Sequence, residues 1–324
     1  MDLNPPDRLP PRHLASAEDL RQAHDVARAV AVAALGRDPG AMTAAESISH
    51  YAYVGADIVV KIIDAGRHTR LDREIAFAPQ LPAGLAAPLL ASGLYRSGRS
   101  DVRYACYTRV PGAVPGMGMP GVDATVARLL AEEAVQRLQE LHRWAPTGRA
   151  EATLRETLDH GGFVTRAALL AELESLAAAN RDGIVPRHLL DGLAALAQYA
   201  PPNVRTVVPV HADCHWGNWL AAGRHVTALL DFEWARFGEP PDDWYFLIAF
   251  SGPHRETVLD VVARATSTDP DDLRAQCEIR GATFLASDLR MTLEDPEVPA
   301  WVGADLLQKL EELIVGRLWW RRSP

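Results

Sequence analysis

The stretch PGAVPGMGMPG, residues 111–121, holds three prolines and four glycines in eleven residues. Such a run supports neither a helix nor a strand, so the chain must be built as two parts on either side of it. The part before it alternates. Ser16, with Asp19 three residues on, opens a helix predicted over Ala17–Leu35. SISHYAYVGADIVVKII then reads as a hairpin turning at Gly-Ala-Asp, TRLDREIAFAPQL as a short helix, and VRYACYTRV as a strand. The part after it reads mainly as helices, over 123–144, 164–179, 187–199, 242–250, 254–265, 271–291 and 305–320. They are interrupted by one β-rich island over 207–231, and no internal repeat is visible.

Composition narrows the class. With 48% hydrophobic and 23% charged residues, the 324-residue chain has the profile of a globular enzyme. No apolar run approaches a membrane span, and MDLNPPDRLPPRH reads as a loose, charged arm with no signal-peptide core, so a cytoplasmic location is expected. A net charge of −9 argues against a nucleic-acid partner. From Asp231 onward there are 18 acids against 10 bases, so nearly all the negative excess lies there. An acidic cleft for a cationic ligand and a merely solubilising surface both fit that distribution. Cys106, Cys214 and Cys277 are too few and too scattered for a disulfide framework. Cys214, next to Asp213, reads as space-filling in preference to a nucleophile.

Lys61 is one of only two lysines, yet it sits inside the apolar run IVVKII. A buried cation is costly unless paired, and a compact ammonium suits a phosphate contact. Glu74, on the following helix, is the natural partner, with Asp72 the alternative. The second dense constellation is VVPVHADCHWGNWL, residues 207–220, where an aspartate lies between two histidines before Gly217-Asn218. Two readings compete for it. His211, Asp213 and His215 would grip a metal for hydrolysis, or Asp213 and Asn218 would serve phosphoryl transfer. Asp231 ends the apolar strand VTALLD. A turn near Gly223 would fold that strand back on the one beginning at Asn218, and oxygen donors from Asn218 and Asp231 suit Mg²⁺.

HADCHWGN fits the pattern H-x-D-x-x-x-x-N, and LLDFEWARFGEPPDD follows it as a metal-aspartate segment. Together they resemble the aminoglycoside phosphotransferase and choline kinase family. Lys61 and Glu74 match that family's strand-lysine and helix-glutamate pair, and YTRVPG resembles its interlobe hinge. The resemblance implies an α+β, two-lobed, protein-kinase-like fold: a small β-rich N-terminal lobe over 1–110 and a larger, mainly helical lobe over 111–324.

It also implies roles. Asp213 would accept or orient the proton of a substrate hydroxyl, and Asn218 and Asp231 would hold Mg²⁺. Lys61, positioned by Glu74, would hold phosphates of ATP, or of GTP. Thr108 and Val110 would flank the base, with Tyr107 behind them, and His211 would brace the loop. Asp243 is read as a helix N-cap and brace. Two departures stand out. Ala212 takes a position where the family commonly has glycine, and no G-x-G-x-x-G precedes Lys61, so Ser47, Ser49 and His50 would cover the phosphates in its place.

Glu233, in DFE, reads either as a contact to metal or substrate amine, or as a structural bond to the loop. Trp216, Trp219, Trp234 and Trp244 crowd the same region and read mainly as core. Glu294 and Asp295, with Glu297, are candidate contacts to a polycationic acceptor. The expected activity is ATP- and Mg²⁺-dependent transfer to a hydroxyl of a small cationic molecule, foremost an aminoglycoside-type antibiotic. A metabolite kinase acting on choline, ethanolamine, an amino sugar or homoserine is the alternative, and a metal-dependent hydrolase the more distant one. The expected partner is a small molecule, with neither nucleic acid nor membrane.

Overall fold

The computed structural model describes residues 9–10, 12–47, 49–66, 70–98, 100–158, 162–295 and 300–320. The proline-rich arm thus lies largely outside the described residues. In chain order the elements are α1 (Ala17–Leu35), β1 (Thr43–Ala44), β2 (Tyr51–Val54), β3 (Ile58–Asp64), α2 (Arg70–Phe77), β4 (Leu89–Ser97) and β5 (Ser100–Thr108). There follow α3 (Ala124–Arg143), α4 (Gly148–Leu154), α5 (Arg166–Ala179), α6 (Arg187–Ala197), β6 (Val208–Val210), β7 (Trp219–Ala222), β8 (His225–Leu229) and β9 (Arg236–Gly238). Four helices close the chain: α7 (Pro240–Ala249), α8 (Arg255–Thr266), α9 (Pro270–Glu294) and α10 (Ala300–Ile314). Among the described residues, no helix is long and apolar enough to cross a membrane.

The chain forms two compact units. The first comprises Met1–Ala113, Pro146–Thr153 and Trp219–Trp234, and the second Val114–Ala145, Leu154–Asn218 and Ala235–Pro324. The first crossing falls inside the Pro/Gly stretch, and two later segments return to the first unit.

The first unit is organised by a five-stranded antiparallel sheet in the order β1-β2-β3-β5-β4. Successive residues of β3 point to opposite faces. Ile58, Val60 and Ile62 pack with Val26, Ala27 and Val30 of α1 in one buried cluster. Ile63 packs on the other face with Leu71 of α2 and with Ala105 and Tyr107 of β5. Lys61 shares the parity of Ile63 and pairs with Ala105, which puts it on the α2 face. The predicted cap of α1 is present: Ser16 Oγ accepts from Asp19 N at 3.2 Å, and Asp19 Oδ2 accepts from Ser16 N at 2.8 Å. The returning hairpin β7–β8 joins this unit through Ala113 N donating to Ala221 O and Leu229 N donating to Leu85 O.

The second unit is helical, with one short ladder in which β6 pairs antiparallel with β9. The β-rich island expected over 207–231 is therefore two separate two-stranded ladders, one in each unit. Gly238 of β9 makes a close approach that a side chain would block. A Cβ there would lie 2.5 Å from Asp242 Oδ2 and 2.6 Å from Val210 Cγ2. Gly238→Ala is therefore expected to destabilise the fold by about 1–3 kcal/mol. Denaturant unfolding checks this; an unchanged midpoint would show that the ladder yields without cost.

Candidate active site

In the first unit, α2 places Leu71 and Glu74 three residues apart on one buried face. Leu71 anchors the helix, and Glu74, 6% exposed, is carried to Lys61. Lys61 Nζ donates to Glu74 Oε1 at 2.7 Å and Oε2 at 3.0 Å, and to Asp231 Oδ1 at 3.0 Å. Glu74 is the partner, and Asp72 instead meets Arg103 at 3.0 Å. Tyr107 OH donates to Glu74 Oε2 at 3.1 Å. Asp231 has φ 66°, a left-handed backbone that turns its carboxylate off the end of β8.

The cluster sets two carboxylates against one ammonium. Burial works against the charged Lys61, but Asp231 and Glu74 outweigh it and hold its pKa above the ordinary value. Burial pushes Glu74 up to about 8, against the pull of Lys61. Asp231 is held well below the usual carboxylate range, because Lys61 outweighs its burial. The His50 ring joins them: its donor atom and those of Glu74 and Asp231 lie within 4.8 Å of one another. Glu233 is 5% exposed, and burial followed by the charge of Asp231 pushes it up to about 7.

In the second unit the loop after β6 is held by a single carboxylate. Asp243, fully buried in the first turn of α7, accepts from Ala212 N at 2.7 Å through Oδ1 and from His211 N at 3.1 Å through Oδ2. His142, at the end of α3, bonds to Oδ2 at 2.8 Å. Burial opposes the charge on Asp243, but the His142 bond and the backbone amides keep its pKa low. The brace reading of Asp243 thus agrees with its contacts, while the N-cap position belongs to Glu239. Glu239 and Asp242 are in turn gripped by Arg280 of α9, at 3.2 and 2.8 Å.

Within that loop Asn218 Nδ2 donates to Asp213 O at 2.8 Å and to Asp213 Oδ2 at 3.1 Å. The Asp213 side chain keeps 24% of its surface exposed, whereas His211 is fully buried. Ala212 has φ 62°. The family's usual glycine would adopt that conformation freely, and alanine does so at a cost of about 1 kcal/mol.

The sequence model of the phosphotransferase enzyme family matches residues 46–276, which contain Lys61, Glu74, Asp213, Asn218, Asp231 and Asp243. The chain belongs to the phosphotransferase enzyme family. It is a small-molecule kinase. Solved structures show the same fold. The GDP complex of wild-type aminoglycoside 2'-phosphotransferase-IIIa superposes with a TM-score of 0.72 at 19% identity, covering 91% of this chain and 99% of that one. ADP-bound aminoglycoside phosphotransferase APH(2'')-Ib gives 0.59 at 14% identity over 93% and 99%. A thermostable APH(4)-Ia mutant with AMP-PNP and hygromycin B gives 0.61 at 16% identity over 89% and 97%. No curated protein sequence matches the chain. At these identities the likeness establishes the two-lobed, protein-kinase-like α+β fold.

The remaining candidates fall as follows. Ser49 Oγ and His50 Nδ1 share a hydrogen bond of 2.8 Å, and His50 N donates to Ser47 Oγ at 3.4 Å. At the end of β5, Thr108 N is taken by Pro88 O at 2.8 Å. Val110 follows it on the loop, outside the strand. Glu294 is exposed but engaged by Arg290 at 2.7 Å, Asp295 is exposed, and Glu297 lies outside the described residues. Trp216, Trp219 and Trp244 are buried as core, while Trp234 lies under the Arg70 guanidinium at 4.1 Å. His211, Asp213 and His215 do not form a three-ligand group. The His50, Glu74, Asp231 set is the one such group among the described residues.

Sequence reasoning had no signal for Arg70 or for His142, because each acts through a contact more than a hundred residues away. Burial pushes the Cys214 thiol well above its ordinary pKa, Cys106 up to about 11 and Cys277 up to about 12. All three should therefore resist a disulfide reagent at pH 8 in the native protein and react only after denaturation. Rapid reaction of one native thiol would restore the nucleophile reading of Cys214. At Ala212, glycine should preserve activity and stability, whereas Ala212→Val should cost about 2 kcal/mol or more and most of the activity. Melting temperature and turnover of the two variants check this.

Proposed function

We propose that the protein transfers the terminal phosphoryl group of ATP to a hydroxyl of a small cationic molecule of the aminoglycoside type. The observation that carries the reading is the buried Lys61–Glu74–Asp231 cluster. An ammonium held between two carboxylates on the inner face of a sheet is a fixed cation for nucleotide phosphates. The excess carboxylate charge suits a divalent cation, so the residues fit Mg²⁺. Asp231 and Asn218 would hold it by oxygen, the hard-donor chemistry it prefers. When bound, it would neutralise charge on the transferring phosphate.

The chain's own groups do the rest. Lys61 holds the phosphates, and Glu74 fixes the direction of the ammonium. Asp213, braced through the loop by Asp243, accepts the proton of the attacking hydroxyl. The Asn218 amide fixes one oxygen of that carboxylate, and His215 Nε2 lies 3.7 Å from the other. Val110 supplies a main-chain contact to the base. Phosphoryl transfer needs positioning and charge stabilisation more than covalent chemistry, and these groups provide both.

An aminoglycoside acceptor is supported by the excess of acids after Asp231 and by similarity to structures that contain kanamycin or hygromycin B. The bound nucleotides of the similar structures include GDP, ADP and AMP-PNP, so both ATP and GTP belong in the test. The experiment is ADP release with Mg-ATP across aminoglycosides, choline, ethanolamine, hexosamines and homoserine. The expected result is stimulation by an aminoglycoside, reduced about 10² to 10⁴-fold by Asp213→Ala. Stimulation by choline or another metabolite alone would assign the acceptor to the metabolite class. Turnover that survives Asp213→Ala would overturn the role of that carboxylate.

A further inference from the structure

Glu233 is a buried carboxylate whose two oxygens face different parts of the first unit. Oε1 lies 3.7 Å from Arg70 Nη1 in the first turn of α2, and Oε2 lies 3.8 Å from His50 Nδ1. The Ser49 hydroxyl shares a hydrogen bond of 2.8 Å with the same His50 ring. The main chain of the same residue is used as well, since Glu233 O accepts from Arg73 Nε at 3.0 Å. Next to it, the Trp234 ring lies under the Arg70 guanidinium at 4.1 Å. Three segments therefore meet on one residue: the Ser47–His50 loop that feeds β2, the start of the helix that carries Glu74, and the turn that follows Asp231.

That arrangement separates the roles the DFE triplet allows. A carboxylate that binds a substrate amine must be reachable, and Glu233 is 5% exposed with its oxygens directed to a histidine and an arginine. A buried carboxylate is tolerated best where cations neutralise it. Its partner His50, with Ser49 bonded to that ring, lies at the position where a phosphate cover is needed. The His50 ring in turn reaches the Glu74 and Asp231 cluster.

We propose that Glu233 is a positioning residue for the nucleotide. It clasps the Ser47–His50 loop against Asp231 and α2, so that the loop is held in shape to cover the phosphates. This rests on the kinase reading above. It assigns to this chain a substitute for the missing glycine motif: a loop stiffened by a buried carboxylate in place of one moulded by glycine amides.

The test uses the full-length protein and the variants Glu233→Gln, Glu233→Ala and Ser49→Ala. Nucleotide binding is measured by calorimetry with Mg-ATP, and steady-state kinetics with the best acceptor. Each variant's melting temperature is recorded, and assays run well below it. Glu233→Ala should weaken Mg-ATP binding and raise its KM by about tenfold or more, with kcat within about threefold and the acceptor KM unchanged. Glu233→Gln, which keeps the side chain's shape but loses the charge that faces His50 and Arg70, should lie between. Ser49→Ala should act in the same direction, and adding it to Glu233→Ala should cost less than the sum of the two.

A raised acceptor KM with unchanged nucleotide binding would overturn the proposal in favour of substrate recognition. A large fall in kcat with an altered Mg²⁺ requirement would overturn it in favour of a metal ligand. A lowered melting temperature with unchanged binding and kinetics would reduce Glu233 to a packing role. Should Glu233→Ala fail to fold, the Glu233→Gln and Ser49→Ala pair carries the same comparison. A wild-type protein that binds Mg-ATP but uses no acceptor would count against the acceptor reading alone, because the binding arm still decides the clasp. A wild-type protein that binds no nucleotide would sink both.

Discussion

A lysine ammonium on the inner face of a sheet has to be neutralised where it stands, and much of the first unit follows from how this is done at Lys61. The side chain lies between Glu74 and Asp231, with hydrogen bonds to both. Glu74 can reach it only because α2 is pinned by Leu71 against the face of β3 and β5 that carries Ile63, Ala105 and Tyr107. Asp231 can reach it only because its own backbone, two residues past β8, is left-handed and redirects the carboxylate. Removing Lys61 would leave two carboxylates facing each other in a low-dielectric site, a loss on the order of several kcal/mol. The fold is thus committed to the cluster before any ligand arrives.

The second unit solves a different problem with comparable economy. A loop that presents an aspartate cannot be regular structure, so its backbone amides need partners from elsewhere. Asp243 supplies two acceptors from one side chain, and His142, from another helix, fixes the orientation of that carboxylate. The support extends outward through Glu239 and Asp242 to Arg280. Each carboxylate in this chain has a hydrogen-bonded partner, and such networks rigidify a site. It also explains why Ala212 is tolerated, since two amide bonds to a charged acceptor offset a modest backbone strain.

What the sequence revealed, and what it hid, follows from how local each signal was. The partnership of Lys61 with Glu74 was legible because strand parity and one helical turn carry it, both within 13 residues. The pattern over residues 211–218 stood out because its polar residues lie close together in the sequence. Strand β4 was not, because Leu90 and Leu94 fall on its exposed side, where apolar residues are uninformative. Within the island over 207–231 the hairpin at Gly223 was legible from its turn, whereas the pairing of β6 with β9 was not, because it spans that hairpin. Asp243 was recognised as a support, yet its capping role went to Glu239, since GEPPDD offers several acids and only three-dimensional contacts choose among them. Glu233 stayed ambiguous for the same reason: its partners lie 163 and 183 residues upstream.

The scarcity of lysine has a practical side. One of the two, Lys61, has its ammonium locked between carboxylates, with its pKa held above the ordinary value. The other, Lys309 on α10, is about half exposed and pairs with Asp305 at the helix surface. Every other cationic side chain that is permanently charged is an arginine, which amine-directed reagents ignore. Apart from its terminal amine, the molecule therefore offers such chemistry a single handle. A dye, tether or solid support coupled through amines would attach along α10, giving a uniform orientation without any engineered residue.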